Sequence, residues 1–124
     1  MQKICLAEKL GSFNELWSPK IVGELNGQHV KLVKFQGEFL WHHHDLEDEL
    51  FLVVRGSFRM DYRDEAGGER SLEIAEGEFV IVPRGTEHRP YAAKEAHVLL
   101  FEPAATLNTG NIRSERTIEE PEAI

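Results

Sequence analysis

Short apolar runs, broken at regular intervals by glycine and proline, constrain the fold of this chain more than any other feature. Residues 21–25 and 30–35 flank Asn26-Gly27, a dipeptide that tolerates positive φ at both turn positions, and so read as a hairpin. Further runs follow at 39–44, 49–54, 57–63, 70–74, 79–82 and 98–101. Gly37, Gly56, Gly67-Gly68, Gly77, Pro83 with Gly85, and Pro103 separate them. Strands spaced by roughly 8–12 residues with turns between them predict an all-β sandwich or small barrel. Ahead of the strands, Leu6, Leu10, Phe13 and Leu16 recur at helical spacing, which predicts a short amphipathic helix or a pair of turns, ended by Pro19. Beyond Asn108 the chain is polar, with Glu119, Glu120 and Pro121 near its end, and reads as a tail that frays or lies on a partner. The expected organisation is a helical or turn segment over 1–20, a barrel over 21–105 and a polar tail over 106–124.

Length and charge narrow the function classes. At 124 residues the chain is one domain, too short for a two-domain dinucleotide enzyme. Fourteen Lys and Arg stand against 22 Asp and Glu, a formal net charge of −8, and no basic stripe offsets it. That argues against nucleic acid or an anionic membrane surface as partner. The single cysteine, Cys5, excludes an intrachain disulfide and a cysteine-rich zinc site. Glu8 and Lys9 fall where a signal peptide needs apolar residues, so a cytoplasmic protein is expected.

Period-two alternation assigns side chains to faces. In 39–44, Leu40, His42 and His44 share one side, and Phe39, Trp41 and His43 the other. In the following run, Glu49, Phe51 and Val53 oppose Leu50, Leu52 and Val54. Both faces of that strand are apolar, so both need cover. A second sheet covers one, and a subunit interface covering the other predicts a homodimer.

His42-His43-His44 holds three of the six histidines, and Glu49 lies five residues past His44. Alternate strand residues are about 7 Å apart at Cα, close enough for His42 and His44 to converge on one ion. A turn at 45–48 can return Glu49 beside them, and its acidic residues favour a cation. Imidazole nitrogen with carboxylate oxygen suits Fe, Mn, Ni, Cu or Zn. A fourth ligand has to come from elsewhere in the sequence. His88 sits in the Gly/Pro-rich corner Pro83-Arg84-Gly85-Thr86-Glu87-His88.

These residues resemble the two motifs of the cupin superfamily. Gly37, His42, His44, Glu49 and Gly56 fill the first, with four residues rather than five between Gly37 and His42. Gly77, Pro83, Gly85 and His88 fill the second at the expected spacing, but its final Asn position holds Ala92. That Asn is not a metal ligand, so its loss bears on substrate contacts or local packing. The resemblance implies a double-stranded β-helix, or jelly-roll barrel, with a metal inside. It implies His42, His44, Glu49 and His88 as ligands of a divalent Fe, Mn, Ni or Zn, with one or two coordination positions left open. The look-alikes are small single-domain cupins, some loosely labelled as resembling mannose-6-phosphate isomerase.

Other residues carry weaker signals. Phe51, Val53, Met60, Phe79 and Ile81 read as core that also lines a pocket, and Arg84 and Tyr91 as loop residues able to touch a substrate. His29, His43 and His97 read as surface or hydrogen-bonded histidines. No nucleophile elbow, phosphate loop or His-Glu-x-x-His motif is present. Two functional classes remain. One is an enzyme running dioxygenase, isomerase or lyase chemistry on a small oxygen-rich substrate. The other is a non-catalytic module that binds metal and a small ligand.

Overall fold

The computed structural model describes residues 1–124. A short helix, α1 (Leu6–Leu10), precedes seven strands: β1 (Lys20–Leu25), β2 (Gln28–Glu38), β3 (Glu49–Arg55), β4 (Ser57–Arg63), β5 (Glu69–Ala75), β6 (Phe79–Val82) and β7 (His88–Pro103). All named strand pairs are antiparallel, and the order β1-β2-β7-β3-β6 carries β4 and β5 as a side branch on β7. The predicted hairpin is present, with Asn26 at φ 51° and Gly27 at φ 76° joining β1 to β2.

β7 ties the molecule together. Its first residues, His88 to Tyr91, pair with β4 and its later ones, from His97 on, with β3, while β2 pairs along both parts from Tyr91 to Pro103. The strand thereby passes from one layer to the other, the jelly-roll arrangement expected of the sequence. The alternation of β3 holds: Glu49, Phe51 and Val53 are buried, and Leu50, Leu52 and Val54 are half-buried. Inward residues of β2 to β7 form one core of twelve, centred on Phe35, Phe51 and Phe58, with Phe58 edge-on to Phe35 at 5.2 Å.

Three local expectations differ from the structure. The helix stops at Leu10, where Gly11 begins a turn. Leu10 and Phe13 then pack on Leu32 from the outer face of β2. Residues 39–44 form no regular strand, because only His42 pairs as an isolated bridge, with His88. The tail does not fray. The Ile21 N–H donates to Glu122 O and the Ile124 N–H to Ile21 O, both at 2.9 Å, so the tail returns to β1 of its own chain.

Candidate metal centre

Backbone pairing brings the candidate ligands together. His42 and His88 exchange N–H···O bonds of 3.1 and 2.9 Å, and the Gly85 N–H donates to His44 O at 2.7 Å. The run 42–44 therefore lies against the corner 85–88, and β3 begins at Glu49 beside them. Ring centroids of His42, His44 and His88 are 4.3–5.7 Å apart. One ligand atom from each of His42, His44, Glu49 and His88 lies within 4.8 Å of all the others. Exposure is 3% for His42, 4% for His44 and Glu49, and 0% for His88.

The chemistry of the cluster fits a cation. His42 Nδ1 is 2.9 Å from Leu40 O and His88 Nδ1 is 2.8 Å from Thr86 O. An N–H donated at Nδ1 leaves Nε2 as the free lone pair of each ring. Nε2 of His44 and of His88 lie 2.9 and 3.3 Å from Glu49 Oε1. They do so without hydrogen-bond alignment, so all three atoms are buried and unpartnered. Buried polar atoms left unpaired are costly, and a shared ion satisfies them at once. Burial, with His88 beside it, pushes His42 down to about 3, so its ring is neutral near pH 7 and able to ligate. Burial pushes the Glu49 carboxyl up, but the His44 and His88 imidazoles outweigh this and hold it below the usual carboxylate range.

His43 points the other way, as alternation requires. Its ring bridges Glu87 at 3.1 Å and Asp45 at 3.0 Å. The Glu87 carboxylate raises its pKa. Its backbone anchors the tail: the His43 N–H donates to Asn111 Oδ1, and the Asn111 N–H donates to His43 O. Gly110 has φ 56°, and a Cβ there would lie 2.2 Å from His43 O.

A cavity of about 30 Å³ adjoins the cluster, reached by His42 and Glu49 and walled by Trp17, Phe35, Phe39 and Phe51. Trp17 stacks on Phe35 and Phe39 at 4.4 and 4.9 Å, with its backbone at φ 58°. Glu102 also lines the cavity, in contact with Glu49. Burial, then the Glu49 charge, pushes the Glu102 carboxyl well above the usual range, against the pull of Lys31.

Several side chains expected near a pocket are elsewhere. Of the five apolar candidates only Phe51 reaches this cavity. Val53 and Met60 are core, and Phe79 and Ile81 are exposed on the outside. Arg84 pairs with Asp48 at the surface, and Tyr91 lies under the Arg59 guanidinium. His29 faces Glu24, and His97 faces Glu95. Trp17, Lys31, Glu102 and Gly110 went unread. The inward parity of Lys31 with Val33 and of Glu102 with Leu100 was the signal available for two of them.

The family described as "Cupin domain" matches residues 29–102. The chain belongs to the cupin family. A cupin-2 domain-containing protein of Shewanella frigidimarina is 37% identical, with a TM-score of 0.75 over 81% of this cupin and 93% of that chain. The uncharacterized protein YdbB of Bacillus subtilis (strain 168) is 35% identical over 68 residues, which are 55% of this cupin and 57% of YdbB. The chain thus aligns with little more than half the length of that curated relative. Hydroquinone 1,2-dioxygenase PnpCD, solved with Fe3+, superposes at a TM-score of 0.74 over 84% of this cupin and 33% of its own chain. At 18% identity that likeness is one of fold.

Proposed function

We propose that this cupin is a metal-dependent enzyme acting on a small, oxygen-bearing organic substrate, with His42, His44, Glu49 and His88 as ligands. The observation that carries the reading is the cavity. His42 and Glu49 reach it, so a coordination position can face space rather than protein. A purely structural site is closed on all sides. A bound divalent metal would supply Lewis-acid polarisation of substrate oxygens, and iron would add redox chemistry with oxygen. The chain's own residues do the rest. Leu40 O and Thr86 O orient two imidazoles, the apolar wall limits water, and Glu49 brings a negative charge that offsets part of the ion's own.

Among the reactions open to such a site, iron-dependent oxygenation is our first reading, since a dioxygenase solved with Fe3+ shares the fold. Isomerase or lyase chemistry with Mn, Ni or Zn comes next. A non-catalytic binding role has one observation in its favour, the small size of the cavity. We further read the protein as a cytoplasmic homodimer, the pairing resting on the half-open apolar face of β3 and β6. No helix is long and apolar enough to cross a membrane.

Elemental analysis of untagged protein purified without added metal tests the reading, followed by oxygen uptake with diols, keto acids and uronates under each metal. About one transition metal per chain and metal-dependent turnover of one class are expected. A chain that takes up no metal overturns the reading. Metal without turnover of any class moves it to the binding module.

A further inference from the structure

The space beside His42 and Glu49 is too small for an organic substrate. Its 30 Å³ holds about two waters, whereas small-molecule sites begin at about 300 Å³. A second space, an outer cleft of about 200 Å³, is lined by residues 44–47 on one side and by Leu107, Gly110 and Asn111 on the other. The candidate ligands border both: His42 and Glu49 reach the inner cavity, and His44 the outer cleft. The tail borders both as well, since Asn108 lines the inner cavity while its neighbours line the outer cleft. Residues 107–111 are thus part of the partition between them. Gly110 lies directly on the site, where a Cβ would come within 3.1 Å of Cδ2 of the His42 ring.

The partition is bonded mainly to itself. Asn108 Nδ2 donates to Arg116 O, the Ile118 N–H donates to Asn108 Oδ1, and Thr109 Oγ1 donates to Ile112 O. Three hydrogen bonds tie residues 107–118 to the rest of the chain. The Asn111 N–H donates to His43 O at 3.0 Å, the His43 N–H to Asn111 Oδ1 at 2.9 Å, and Arg116 Nη1 to Glu38 O at 2.8 Å. If these break, both ends stay anchored, through the Ala104 N–H on Gly27 O and the pairing of Ile21 with Glu122 and Ile124. A loop that coheres internally and is lightly tied outside can open without unfolding the barrel.

We propose that the outer cleft is where a small organic substrate docks, and that residues 107–118 swing off His43 as a flap to join this cleft to the metal. The proposal rests on the metalloenzyme reading and supplies the room that reading needs. With the flap closed, only water-sized species fit beside the ligands. With it open, the two spaces merge towards the size of a small-ligand site.

The test uses metal-loaded full-length protein under nitrogen, with 4-nitrocatechol as a coloured organic ligand, mixed by stopped flow and followed by visible absorbance. One variant combines Asn111→Ala with Arg116→Ala and so removes two of the three ties. Another places Leu46→Cys in a Cys5→Ser background and carries a bulky maleimide label at the cleft, where residue 46 is 77% exposed. The exposed native Cys5 takes the same label in the wild type as the control. Metal content and Tm are measured in parallel. The double variant should bind about tenfold faster or more, as the loss of two hydrogen bonds raises the open population. The label at position 46 should slow binding at least about tenfold, and the label on Cys5 should leave it unchanged. A tail that serves stability alone would lower Tm in the double variant and leave the binding rate where it was. That result, a label at position 46 without effect, or no binding by metal-loaded wild type and double variant alike, overturns the proposal. Should the double variant fail to fold, the label decides. Absence of metal from the wild type is instead the failure of the underlying reading.

Discussion

At the scale of single residues, the parity of adjacent histidines separates candidate ligand from anchor. His44 aims an unpartnered Nε2 at Glu49, whereas His43 is held outside by Glu87 and Asp45. His44→Ala is therefore expected to lower metal content by an order of magnitude or more, and His43→Ala to leave it near normal. Elemental analysis of the two purified variants checks this. Asp61 gives a second prediction. Burial pushes its carboxyl up, but Arg59, Arg89 and Ser71 outweigh it and hold it down to about 2. Its folded pKa lies below the unfolded value, so its contribution is present above about pH 4 and is lost as pH falls through about 2. Asp61→Asn should cost about 2 kcal/mol at pH 7 and flatten the acid limb of the stability curve, as measured by urea unfolding from pH 2 to 7. The histidines and Glu49 were legible because strand alternation and motif spacing are local. Lys31 and Glu102 were not, since a charged residue in a strand ordinarily marks the wet face, whereas these two lie buried 3.9 Å from one another.

Among the elements, the strands and their order of turns could be read from the chain, while the irregular segments that close the site could not. Residues 39–44 alternate like a strand, yet just one bridge holds them, because β2 ends at Glu38 and the segment must turn to meet 85–88. The tail looked unattached since its partners, Ile21, His43 and Glu38, are 68 to 103 residues away in sequence. Gly110 is where that tail meets the ligand segment. Gly110→Ala drives a Cβ into His43 O at a left-handed φ, so a loss of about 1–3 kcal/mol and faster release of metal to a chelator are expected. Trp17 closes the cavity from the other side. Trp17→Ala should raise the chelation rate severalfold without changing which residues ligate, and stopped-flow with a chromogenic chelator reads this directly. A rate equal to that of the wild type would mean that entry runs elsewhere.

For the molecule as a whole, the outer sheet face poses the remaining question of assembly. Phe79 and Ile81 are 59% and 54% exposed, and their cross-strand neighbours Leu52 and Leu50 continue the apolar row. Pairing this face between two copies would remove it from water. Phe79→Glu with Ile81→Glu should convert a dimer to a monomer by light scattering at micromolar concentration, and a wild-type monomer under the same conditions counts against the pairing. The two-sided apolar strand was visible in the sequence, but the row is assembled from two strands by register, which spacing along one run does not encode.

The cavity beside His42 and Glu49 has room for about two waters. His42 and Glu49, which border it, and His44 and His88 behind them are all buried. An ion bound there would therefore enter while the barrel is still closing, or wait for a rare opening. Occupancy would then be a memory of the medium in which each copy matured, and two preparations of identical sequence, grown on different trace elements, would stay chemically distinct long after being mixed into one buffer.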